Sequence, residues 1–143
     1  MSRNFAFGLV LLGTVSATGA LGADCTSTSN ADYLNQSQMG TLLNGNTACV
    51  GSGPTWQNQE LHSSGNIIDF KRGPGHPVDP SKTIGTYAIS NDSGKGVVTY
   101  SYTGGGAFAF KILSSGAAPG STVTYCQGSS PLSVFIKPGG GGC

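Results

Sequence analysis

Glu60 and His62 stand two residues apart in the stretch WQNQELH (Trp56–His62), and Asp69 follows in NIIDFK (Asn66–Lys71). Side chains two apart on an extended strand point to the same face. If the two stretches pair as a hairpin through Ser63-Ser64-Gly65, the Glu60, His62 and Asp69 side chains come within reach of one another. Such a trio has the donor types of a metal site, or of a general base beside Lys71 or Arg72. No dedicated spacing supports either chemistry: H-E-x-x-H and G-x-S-x-G are both absent from the chain. The plainer alternative for Glu60 and His62 is an exposed strand face carrying cross-strand hydrogen bonds. A second concentration of functional groups lies in FKRGPGHPVDPSKTIGTY (Phe70–Tyr87). Pro74, Pro77 and Pro80 fix φ, remove donors and push Gly73, His76 and Asp79 towards extended backbone, so this stretch is a stiff loop rather than a helix or a central strand. Arg72 is suited to bidentate pairing with a carboxylate or phosphate, and His76 to a neighbouring hydrogen bond. The loop, Lys71–Pro80, is expected to be ordered and exposed, and to contribute contact surface rather than chemistry.

The elements that must position these groups belong to an exported chain. One basic residue, Arg3, precedes the apolar run Phe5–Val15, and small residues follow through Ala23. This is the layout of a signal peptide spanning residues 1–22, leaving 23–143 as one domain. All four cysteines, Cys25, Cys49, Cys126 and Cys143, fall in that domain, and an even count in a short exported chain reads as two disulfides. Three pairings are possible. Cys25–Cys49 with Cys126–Cys143 is favoured because both loops are short, and a Cys25–Cys143 link between the domain's ends is the alternative. Beyond the signal the chain carries six basic residues (Lys71, Arg72, Lys82, Lys95, Lys111, Lys137) against six acidic ones. A balance near zero speaks against nucleic acid and against a polybasic membrane surface as partners. No later stretch is long and apolar enough for a transmembrane helix, and no cofactor is expected.

Only the first part of the domain has helical periodicity, with Ala31, Tyr33, Leu34, Met39, Leu42 and Leu43 near a 3.6 period and Asn44-Gly45 as a stop. From there the period is two. Strands are expected near Thr47–Val50, Trp56–His62, Asn66–Lys71, Ile84–Ser90, Val97–Tyr102, Ala107–Leu113, Ser121–Cys126 and Leu132–Lys137. Seven or eight short strands joined by tight turns favour an all-β fold, a small antiparallel up-and-down barrel with a short N-terminal helix, over a β-sandwich. Trp56, Tyr87, Tyr100, Tyr102, Phe108 and Phe110 would either fill such a barrel or line a ligand pocket in its mouth.

Leu42-Leu43-Asn44-Gly45-Asn46-Thr47-Ala48-Cys49, then W-x-x-Q-E-x-H at Trp56–His62, D-F-K-R-G-P-x-x-P-V-D-P at Asp69–Pro80 and G-T-Y at Gly85–Tyr87 together resemble a group of small exported bacterial proteins without an assigned activity. The resemblance implies export and a similar domain, and it carries no mechanism. More distantly, Gly85-Thr86-Tyr87 resembles the Gly-x-aromatic strand start of lipocalin-like and protease-inhibitor-like barrels. The reading that follows is a secreted or periplasmic binding module rather than an enzyme. Its expected partner is a protein or a small ligand, met through Trp56, Glu60, His62, Lys71, Arg72 and His76, with no catalytic or metal-ligating residue assigned. A small hydrolase or metal-binding protein built on Glu60, His62 and Asp69, and a passive envelope or surface protein, are the alternatives.

Overall fold

A computed structural model describes residues 23–53, 55–70 and 82–143. After a 3-10 turn at Asn30–Asp32 comes one helix, α1 (Gln36–Leu43). Eight strands follow: β1 (Thr47–Ser52), β2 (Thr55–Ser63), β3 (Asn66–Asp69), β4 (Lys82–Asp92), β5 (Lys95–Tyr102), β6 (Ala107–Ile112), β7 (Thr122–Gln127) and β8 (Ser130–Lys137). Each strand pairs antiparallel with the next, and β1 pairs with β8 from Thr47↔Lys137 to Val50↔Val134, so the sheet closes into a barrel. The sandwich alternative is thereby excluded.

Strand β5 shows why these residues form this wall. Gly96, Val98 and Tyr100 are buried, and the intervening Val97, Thr99 and Ser101 are more exposed, the period-two pattern of a sheet with one packed face. The turns follow from local chemistry. Ser64 and Gly65 (φ +51° and +82°), and Ser93 and Gly94 (φ +53° and +93°), supply the two consecutive positive φ values of a tight two-residue hairpin. WQNQELH and NIIDFK do pair, with Glu60 opposite Asp69 and Ser63 opposite Asn66.

The helical segment is shorter than its apolar period suggests. Ala31 lies in the 3-10 turn, and Tyr33 and Leu34 are extended. The Leu34 amide donates to the Ile112 carbonyl and the Leu34 carbonyl accepts from Gly96 N–H, so this backbone is bonded to the barrel and unavailable to a helix. Helix α1 starts only after Asn35, which forms a capping box with Gln38, and it stops at Asn44 with Gly45 left-handed at φ +78°. It plugs one end of the barrel. Met39, Leu42 and Leu43 pack there with Ile67, Val98 and Ile136, while Tyr87 Oη donates to Asn44 Oδ1 at 2.7 Å.

The disulfides are Cys25–Cys126 and Cys49–Cys143. Both the short-loop pairing and the Cys25–Cys143 alternative are therefore wrong. The reason is barrel closure: β8 lies beside β1, so the tail leaving β8 passes Cys49, whose register partner is Phe135. The N-terminal strap runs back along β6 and β7, where Cys25, Tyr33, Leu113 and Cys126 form a second small core. Each bridge ties a terminus to the barrel wall, and two disulfides mark an oxidising compartment, extracellular or periplasmic.

Candidate functional site

Because the strands alternate in direction, the β5–β6 and β7–β8 turns lie at the end opposite α1. Beneath them the barrel interior is a cavity of about 840 Å3, within the size range of small-ligand pockets. Residues from all eight strands line it. Aliphatic surface comes from Ala48, Val50, Ile84 and Val134, and aromatic surface from Tyr100, Tyr102, Phe108, Phe110, Tyr125 and Phe70. The rings interlock: Tyr100 stacks on Tyr102 (6.4 Å) and Tyr125 (6.5 Å), and Phe110 stands edge-on to Tyr100 (5.9 Å). At the rim Phe108 and Leu132 remain 42% and 38% exposed.

The polar groups of the cavity are few and convergent. Glu60 is only 8% exposed. Tyr102 Oη donates to its carboxylate, at 2.9 Å from one oxygen and 3.2 Å from the other. Burial raises the Glu60 pKa above the usual carboxylate value, the Tyr102 hydrogen bond opposes that, and the neighbouring Asp69 charge adds to it. Tyr102 is pushed up in turn, by burial first and then by the Glu60 charge. Deeper still, His62 is fully buried. Its Nδ1 lies 3.3 Å from the Asn46 carbonyl and its Nε2 2.8 Å from Tyr100 Oη, which lies 3.2 Å from Tyr125 Oη. Burial depresses the His62 pKa to about 4, against a smaller opposing effect of the Asn46 carbonyl, so the ring is neutral at physiological pH.

The expected face-sharing of Glu60 and His62 is present, but the exposed-face alternative is corrected: both point into the barrel and are buried. Among the described residues no three His, Cys, Asp or Glu side chains are grouped to hold a metal ion. His62 instead spends both ring nitrogens on Asn46 and Tyr100. Trp56 is not brought to Glu60. A bulge skips Gln57 between the Val50↔Asn58 and Gly51↔Trp56 pairs, which reverses the alternation. Trp56 thus stacks on Phe135 at 6.0 Å, on the outer wall, while Gln57 and Asn58 both line the cavity. Lys71, Arg72 and His76, like the rest of the expected Lys71–Pro80 loop, lie outside the described residues.

The aromatics divide between the two roles expected of them. Tyr87 is core, whereas Tyr100, Tyr102, Phe108 and Phe110 line the cavity. Sequence reasoning missed Tyr125 and Phe70 as lining residues. Tyr125 was legible, since it is in phase with the buried Val123 on β7; Phe70 follows the last paired residue of β3, where strand periodicity carries no information. Comparison with protein-family models, curated proteins and solved structures finds no match for this chain.

Proposed function

We propose that the protein is an exported carrier or sensor of a small amphipathic molecule, held in the barrel interior at the end away from α1. The observation that carries this reading is the cavity itself: about 840 Å3, apolar and aromatic on its walls, with polar groups gathered around one buried carboxylate. Apolar walls supply affinity and a few placed polar groups supply orientation, the common arrangement of small-molecule sites. The apparent signal peptide and the oxidised cysteines support export. The closed end, plugged by α1 and bonded through Leu34, Tyr87 and His62, supports a rigid and largely preformed pocket, which lowers the ordering cost of binding.

An uncharged fluorophore, N-phenyl-1-naphthylamine, tests the reading. Its emission is expected to rise on addition of the oxidised protein, with saturation at one site. Val50→Trp places bulk into the cavity from β1 and is expected to weaken binding about tenfold or more, or roughly 1.4 kcal/mol. Phe135→Leu, on the outer wall, is expected to leave it unchanged. A signal insensitive to Val50→Trp would place the fluorophore elsewhere and remove the support.

A further inference from the structure

We propose that the apolar body of the ligand is an arene rather than an alkyl chain or a saturated ring, seated between the aromatic wall of β5, β6 and β7 and the short aliphatic side chains of β1. This rests on the small-ligand reading above and specifies the chemical class of the ligand's body.

The aromatic wall is one connected set of rings. Phe108 tilts against Tyr102 at 6.1 Å and 59°, Tyr102 stacks on Tyr100 at 6.4 Å, and Tyr100 stacks on Tyr125 at 6.5 Å. Phe110 completes the set, 5.9 Å from Tyr100 and 5.7 Å from Tyr125. Such separations and mixed angles belong to favourable offset and edge-to-face pairs. The phenols are also fixed at their far ends. Tyr102 Oη donates to Glu60 at 2.9 Å, Tyr100 Oη lies 2.8 Å from His62 Nε2, and Tyr125 Oη lies 3.2 Å from Tyr100 Oη. Rings held both by their neighbours and by their hydroxyls lose little further freedom when a ligand arrives.

The opposite wall makes the room. In a closed barrel of eight strands each strand faces the one four places along, so β1 faces β5. A barrel of this size is just wide enough to be filled by side chains or to hold one small ligand. Opposite the Tyr100 and Tyr102 rings, β1 presents Ala48 and Val50 to the cavity, and these short side chains leave a space that rings on both sides would have closed. A flat body suits that space. An arene there joins the ring set at Tyr102, Phe108 and Phe110 and gains quadrupole attraction beyond the area it buries. A saturated ring of the same size gains the area alone, and an alkyl chain must also give up its rotamers. Phe108, 42% exposed, and the half-buried Phe110 are the rings with most surface left to offer.

Two alcohols separate ring character from apolar area. 2-Phenylethanol and 2-cyclohexylethanol share a hydroxyl, a linker and a heavy-atom count, and the saturated one has the larger apolar surface. Area burial alone therefore makes 2-cyclohexylethanol the tighter ligand; ring contact reverses the order. Both are titrated against the oxidised protein at pH 7.5, by displacement of N-phenyl-1-naphthylamine and directly by calorimetry. 2-Phenylethanol is expected to bind tighter by about threefold or more. Phe108→Leu, at the exposed rim where folding is least affected, keeps apolar bulk and removes a ring. It is expected to weaken 2-phenylethanol and to leave 2-cyclohexylethanol within about twofold, since the apolar area is largely kept. Phe110→Leu is expected to narrow the ratio in the same way and provides a second variant. 2-Cyclohexylethanol binding as tightly as 2-phenylethanol or tighter, with normal fluorophore binding, would overturn the arene assignment and leave the cavity reading standing. A preference that neither substitution narrows would do the same. Failure of the fluorophore and of both alcohols to bind would overturn both.

Discussion

Glu60 occupies a position that opposes its own ionisation. It is buried and faces Asp69, and its pKa is raised. An acid whose folded pKa lies above its unfolded one stabilises the fold below the unfolded pKa and loses that contribution as pH rises through the folded value. At neutral pH the ionised group is therefore a cost to folding. Glu60→Gln is expected to make the protein more stable at pH 7, with the gain disappearing as pH falls to about 4, the ordinary carboxylate range; urea midpoints at pH 7 and 4 measure it. His62 behaves in the opposite sense. Its folded pKa is depressed to about 4, so its contribution is complete above the unfolded value near 6.5. That contribution declines as pH falls below 6.5 and is gone once pH has passed below about 4. His62 is expected to account for a loss of about 3 kcal/mol between pH 7 and 4, read as the difference in acid-induced loss between the wild type and His62→Gln in chemical denaturation. An equal loss in both would assign the acid sensitivity to other groups. The sequence revealed that Glu60 and His62 share a face and that Asp69 lies beside them. It did not reveal which face, because β2 alternates polar with polar (Gln57, Asn58, Gln59, Glu60) and offers no apolar side to orient it.

At the scale of elements the strands lie where the period-two runs put them, because a closed barrel buries one side of each and on most of them, though not on β2, the inward side chains are apolar or aromatic. The bulge opposite Val50 and Gly51 left no such mark, and with it the outward placement of Trp56 went unread. The helix start was hidden for a related reason: Tyr33 and Leu34 are apolar for a strap bonded to β5 and β6 as they would be for a helix. Gly85 is a case where the structure explains a motif. A Cβ there would overlap the Ser101 carbonyl oxygen and crowd Tyr102 Cα, so the Gly-Thr-Tyr stretch needs its first residue for the close approach of β4 to β5. Gly85→Ala is expected to cost about 1–3 kcal/mol, as overpacking does, read from urea denaturation. A change below 0.5 kcal/mol, roughly the level of a neutral surface substitution, would mean that the strands separate without penalty.

For the whole molecule, closure of the sheet accounts for both the disulfide pattern and the cavity. It sets the last strand beside the first, carries Cys143 to Cys49, and leaves the cavity at the end away from the α1 plug. Proteolytic mapping without reduction is expected to recover peptides linked as Cys25–Cys126 and Cys49–Cys143; a Cys25–Cys49 peptide would contradict the topology. The bridges span 101 and 94 residues, and a loop of that length corresponds to about 4–5 kcal/mol in the chain-entropy description. Reduction is accordingly expected to lower stability by several times the effect of any single substitution above. The sequence offered the count of cysteines but not their partners, since pairing depends on which strands meet, and short loops are no guide once the sheet has closed. The central claim is that the barrel interior is a ligand site. The most direct test is nuclear magnetic resonance of protein carbon-13-labelled in its aromatic rings, titrated with N-phenyl-1-naphthylamine. Intermolecular Overhauser contacts are expected from the Tyr102, Phe108 and Phe110 rings and absent from the outer Trp56–Phe135 pair. Contacts confined to that outer pair, or none at saturating ligand, would contradict the account.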